Sequence, residues 1–170
     1  MRRSTPLILG LIIVLGTGTI LFAAHFSPNG PSVDGDEIRY VDNTSYNDPL
    51  SWAIAEWNAL DPIDILPDSA FTIADIDVFD VNDSSVSWVG SRSVRTGTDW
   101  IRMNSYYLNG YTTFQRRGTM THEFGHALGM GDHTLSDYGS SAIIMYECSA
   151  CSGVNTPQAH DEDDYDDLWN

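Results

Sequence analysis

Residues 121–133 read THEFGHALGMGDH, and they constrain this chain more than any other stretch. His122 and His126 are four positions apart. On a helix they stand one above the other and aim two imidazoles at one point. Glu123 sits beside the first. A third donor this close in sequence cannot come from the same straight helix, so the chain must stop and turn back. Gly129, just past the expected helix end, allows the left-handed conformation such a turn needs. Gly131 loosens it further, and Asp132 and His133 come next.

Neutral imidazole is a preferred zinc ligand. The pattern H-E-x-x-H reads as two zinc ligands, His122 and His126, with Glu123 as the general base acting on water. A catalytic zinc takes three protein ligands and keeps one position open. The residue after Gly131, Asp132, is the next candidate donor, and carboxylate oxygen is an ordinary zinc ligand. His133 is the alternative, because imidazole is the commoner donor and a one-residue adjustment of a glycine-rich turn exchanges the two.

Around this stretch the pattern predicts an α+β domain without repeats. The segment 38–41, IRYV, reads as a strand. Asp48–Leu60 reads as a helix, with Asp48 as cap, Pro49 in its first turn, and an apolar stripe of Trp52, Ala55, Ala59 and Leu60. Ile73, Ile76 and Val78 alternate with Asp75 and Asp77 as in a half-buried strand. VSWVGSR and WIRMNSYYL are further strand candidates, and the segment from Thr113 to Met130 is expected to be helical in its second half. Thr156 and Pro157 are expected to open a terminal helix whose acids suit its positive end.

With the segments in this order, HEFGHALGMGD resembles the extended motif of the metzincin metallopeptidases, H-E-x-x-H-x-x-G-x-x-H/D. Its aspartate version is similar to the snapalysin group, small secreted bacterial metzincins in which that aspartate is also followed by histidine. AIIMYE, with Met145, resembles the methionine turn beneath the metal in that clan, and its IMY wording is closer to the matrixins. The resemblance spans roughly residues 38–169 and is strongest over 122–132. It implies a metzincin-type catalytic domain: a twisted mixed sheet, a zinc-binding active-site helix, the Met-turn and a C-terminal helix. It also implies a zinc-dependent endopeptidase acting on proteins or peptides. The rival expectation is a catalytically inactive, membrane-anchored domain that binds without cleaving.

Composition sets the surroundings. Twenty-four acidic residues against eight basic ones, all arginine, give a net charge of −16. Such a surface repels phosphate backbones, which argues against nucleic-acid partners. Arg2 and Arg3 precede an uncharged apolar run, Leu7–Ala24. Residues 1–25 therefore read as a signal peptide or a signal-anchor transmembrane helix, and the rest as exported, secreted or held at the membrane. Residues 26–37, rich in Pro, Gly and Ser, read as a stalk, and residues 38–170 as the catalytic domain. In an exported domain, Cys148 and Cys151 are expected to form a disulfide. The carboxylates of Asp75–Asp83 could supply calcium oxygens. His160, before an acidic run, reads as a surface residue.

Overall fold

Ile38, Ile76, Val78, Ile101 and Met103 are fully buried and come from three neighbouring strands. They form the inner face of the sheet in the computed structural model, which describes residues 26–170. The strands are β1 (Glu37–Asn43), β2 (Asp64–Pro67), β3 (Ile76–Val81), β4 (Gly90–Ser93) and β5 (Asp99–Asn104), in the order β2-β1-β3-β5-β4. The pairs β1–β2, β1–β3 and β3–β5 are parallel, with Val78 opposite Ile101. Only β4 runs antiparallel, against β5, and it forms one edge of the sheet. The fold is α+β, with a five-stranded mixed sheet and, among the described residues, five helices: α1 (Asn47–Asn58), α2 (Ser105–Leu108), α3 (Thr113–Ala127), α4 (Leu135–Tyr138) and α5 (Ala159–Trp169).

Helix α1 links parallel strands β1 and β2, as a parallel pair requires a crossover. It packs on α3, and the Trp57 indole N–H donates to the Thr121 carbonyl at 2.8 Å. The Trp57 and Tyr165 rings stack with centroids 6.0 Å apart. Burying large apolar side chains such as Trp57 and Phe124 stabilises the fold by about 1.5–3 kcal/mol each.

Several expected elements shift. The buried stripe of α1 is Pro49, Leu50, Ala53 and Trp57, not Trp52, Ala55, Ala59 and Leu60. The spacing of 50, 53 and 57 is equally helical, and the larger apolar surface turns inward. Trp52 lies at the margin beneath the Arg117 guanidinium, 4.1 Å from its ring centre. Strand β3 begins at Ile76, leaving Ile73 exposed. Strand β2 was not expected. Helix α3 is helical over its whole length because Thr112 and Gln115 form a capping box at its start. Helix α5 starts two residues late, capped by Gln158 and Asp161 in place of Thr156.

Residues 26–37 do not hang free of the domain as their composition suggests. Ser27 and Ser32 donate their backbone N–H groups to the carbonyls of Gly129 and Ala127, both at 2.7 Å. The end of α3 leaves such carbonyls without helical partners, and this segment supplies donors. Arg92 pins it further by donating to Gly30 O at 2.7 Å and Ser32 Oγ at 2.9 Å, while pairing with Asp99 at 2.8 Å. The apolar run Leu7–Ala24 lies outside the described residues. Among those described, no helix is long and apolar enough to cross a membrane.

Candidate metal centre

The site is assembled at the C-terminal end of α3. Leu128 caps the helix, and Gly129 follows with φ +97°. Gly129 N–H donates to His126 O at 3.1 Å and Met130 N–H to Gly125 O at 3.0 Å. This is the paired bonding of a Schellman turn, which requires the left-handed residue that glycine adopts without strain. The turn reverses the chain and brings Asp132 back over the helix.

His122 Nε2 and His126 Nε2 then lie 3.2 and 3.4 Å from a single oxygen, Asp132 Oδ1. Each imidazole is oriented through its other nitrogen. His122 Nδ1 lies 2.8 Å from Ile144 O, and His126 Nδ1 lies 3.0 Å from Met130 O. Both carbonyls require Nδ1 to carry a hydrogen, which leaves Nε2 as the nitrogen that each ring turns towards Asp132. Carbonyl partners of this kind fix the tautomer of a metal-ligating histidine. One donor atom from each of the three side chains lies within 4.8 Å of the others. Two imidazoles and a carboxylate, converging and open on one side, are a donor set that fits zinc.

The electrostatics follow from this crowding. Burial lowers the His126 pKa, but Asp132 and Glu123 raise it more, to about 9. Burial raises the Asp132 carboxyl, but hydrogen bonds from His122 and His126 outweigh that and hold it well below the usual carboxylate range.

The site opens into a cavity of about 460 Å³. Trp88 to Arg92 line one wall, along edge strand β4, and Glu147 to Cys151 line the other. Glu123 faces this cavity beside His122 and is 4% exposed. Its approach depends on Gly90. A Cβ there would lie 2.6 Å from Glu123 Oε1 and 2.8 Å from Thr119 Cγ2.

Met145 is fully buried under the site helix. Gly125 on α3 makes room for it, since a Cβ at that position would collide with Met145 Sδ. The segment holding Met145 is fixed by Asp161, which the sequence reading did not single out. Asp161 accepts backbone N–H bonds from Ile144 at 2.8 Å, Met145 at 3.0 Å and Gln158 at 2.8 Å. Burial raises its pKa against the pull of those three donors. Asp161 thus holds the peptide whose carbonyl orients His122. Its only sequence signal is its place as the third residue of α5, where an acid caps the helix start.

His133 is turned away from the centre. Its backbone bridges that of Met145 and Glu147, donating to Met145 O at 2.8 Å and accepting from Glu147 N at 2.9 Å. Its fully buried ring meets Asp164 on α5, with Nε2 2.7 Å from Oδ2. The structure brings His122, His126 and Asp132 together and leaves His133 out. His160, expected at the surface, is partly exposed and stacks on Tyr138 with centroids 4.1 Å apart.

Cys148 and Cys151 form a disulfide in the cavity wall. The carboxylates of residues 75–83 are engaged separately. Asp75 accepts from Arg39 N–H, Asp77 from Asn43, Asp80 from Thr44 and Ser45, and Asp83 from Ser85. Among the described residues they are not part of a cluster in which three His, Cys, Asp or Glu donor atoms lie within 4.8 Å of one another.

No protein-family model matches the chain, and a search of curated proteins finds no match to it.

Proposed function

We propose that the chain is an exported zinc-dependent endopeptidase of metzincin type. The observation that carries this reading is the convergence of His122 and His126 on Asp132 Oδ1, with Glu123 facing the same cavity. His122, His126 and Asp132 would hold the ion. When bound, zinc supplies Lewis acidity that activates water and polarises a carbonyl. The Glu123 carboxylate accepts the proton of the attacking water and passes it to the departing amine. Its low exposure keeps it directed at the cavity and away from bulk solvent. Edge strand β4 lies along the cavity, and its side away from β5, unpaired among the described residues, offers an extended peptide a row of backbone hydrogen-bonding groups. Export rests on Arg2, Arg3 and Leu7–Ala24.

The test is cleavage of an unfolded protein by the zinc-loaded chain, abolished by a chelator and restored by zinc. Glu123→Gln should still bind zinc but lose about 10²–10⁴-fold in turnover, the usual contribution of a general base. Near-normal cleavage by the zinc-loaded variant would reject the role of Glu123. Absence of cleavage by the zinc-loaded wild type would reject the enzyme and favour a binding domain.

A further inference from the structure

Behind the candidate centre lies a second group of ligating side chains. His133 on the turn and His160 and Asp164 on α5 each offer a donor atom within 4.8 Å of the other two. Asp164 Oδ2 is the shared point, 2.7 Å from His133 Nε2 and 3.9 Å from His160 Nε2. The imidazole rings of His133 and His160 lie 4.6 Å apart.

An ion pair alone accounts for Asp164, whose contact satisfies Nε2 of the buried His133 ring. It does not account for His160, which is held with its Nε2 towards the same oxygen. His160 and Asp164 are four residues apart on one helix and so share a face. The His160 ring is held by its stack on Tyr138, nearly parallel at 6°. His133 is fixed by backbone bonds on both sides. The three donors therefore stand on constrained supports, as a metal site requires.

The spacing fits as well. Tetrahedral zinc bonds of roughly 2.0–2.1 Å place neighbouring ligand atoms about 3.3 Å apart. The two separations at Asp164 Oδ2 fall on either side of that value, so each donor has only a short distance to travel. Two imidazoles and one carboxylate suit zinc and its neighbours better than calcium or magnesium, which take oxygen ligands. The side chains of His133 and Asp164 are 1% and 9% exposed, and that of His160 is 22% exposed, so the cluster opens to solvent on the His160 side.

We propose that His133, His160 and Asp164 form a second binding site for a divalent cation of the zinc class. Such an ion would join the turn carrying Asp132 to helix α5, which also carries Asp161. The site would tie the geometry of the first centre to the C-terminal helix, and it does not rest on the catalytic reading.

The experiment measures zinc content of the full chain after equilibration with chelator-buffered zinc, using inductively coupled plasma mass spectrometry. The variant His122→Ala/His126→Ala removes the first centre and should retain one zinc per chain. Adding His160→Ala should remove that zinc, together with the zinc-dependent rise in melting temperature. His160→Phe keeps an aromatic ring against Tyr138 and serves the same purpose if the alanine variant does not fold. In the otherwise unaltered chain, His160→Phe should lower the content from two zinc ions to one. A His122→Ala/His126→Ala protein that binds no zinc would overturn the proposal, and so would zinc retained after His160 is replaced.

Discussion

Gly125→Ala tests whether the helix and Met145 are fitted to each other. In an isolated helix the change would stabilise by about 1 kcal/mol, since alanine is the better helix former. Here the new Cβ would collide with Met145 Sδ and lie 3.2 Å from Met145 Cε and 3.1 Å from Trp57 Cζ2. Met145 and Trp57 are fully buried, so neither can swing into solvent. Overpacking of this kind costs about 1–3 kcal/mol. The net expectation for Gly125→Ala is a loss of up to about 2 kcal/mol after the helix gain is subtracted. Met145→Ala alone should cost about 2–5 kcal/mol through lost burial and the cavity it leaves. In that background the principal collision is gone, and Gly125→Ala should approach neutrality or stabilise slightly. The difference between backgrounds is a coupling of about 1–3 kcal/mol, measurable by a double-mutant cycle. Urea titration of the metal-free proteins supplies the four free energies, without the added stability that bound metal would contribute. Displacing Met145 would also move the adjoining Ile144 carbonyl from His122 Nδ1, so Gly125→Ala should weaken zinc binding. An equal cost of Gly125→Ala in both backgrounds would refute the packing argument.

Three further expectations follow from named contacts. Asp132→Ala should lower zinc affinity at the first centre much more than His133→Ala, measured by competition with a chromophoric chelator in a His160→Phe background. Loss of metal by His133→Ala with retention by Asp132→Ala would reverse the assignment. Gly90→Ala should leave zinc content at the first centre unchanged but reduce turnover, because its Cβ would force the Glu123 carboxylate aside. Normal activity of a zinc-loaded Gly90→Ala protein would show that Glu123 does not need the position described. Asp161→Asn can keep two of its three amide bonds but leaves the Met145 N–H facing an amide group. Its expected cost is about 1–3 kcal/mol for one buried donor left unsatisfied, read from urea unfolding, and an unaltered midpoint would exclude the carboxylate as the anchor of that turn.

The parts of the fold legible in the sequence are those where local chemistry and packing agree. The alternation at Ile76 and Val78 carried β3, and the spacing of His122, Glu123, His126 and Gly129 carried the end of α3. Periodicity misplaced the buried face of α1 because several helical stripes are apolar and only tertiary contact with α3 selects Leu50, Ala53 and Trp57. The segment 26–37 has a linker's composition, yet its backbone amides are what the carbonyls at the end of α3 lack, and composition does not record main-chain hydrogen bonding. Asp161 was hidden among the acids of α5, where nothing in the local pattern distinguishes one carboxylate from the next. It is singled out only by packing against residues sixteen and seventeen positions earlier.

The choice between Asp132 and His133 turns on a different physical point. Once the Schellman turn releases the chain, His133 pairs with the segment around Tyr146 in a strand-like bridge. Adjacent residues in extended backbone direct their side chains to opposite sides. If one of the pair faces the imidazoles, the other must face away. The backbone of His133 is bonded to Met145 and Glu147, and that bonding sets its side chain towards α5 and Asp132 towards His122 and His126. Ligand chemistry alone favoured histidine, but the partner of this bridge decides the orientation, and that partner lies beyond the motif. The same alternation that gives Asp132 to the first centre delivers His133 to Asp164 and His160. A one-residue slip of this segment would therefore disturb both groups together, because one short stretch of backbone supplies a donor to each.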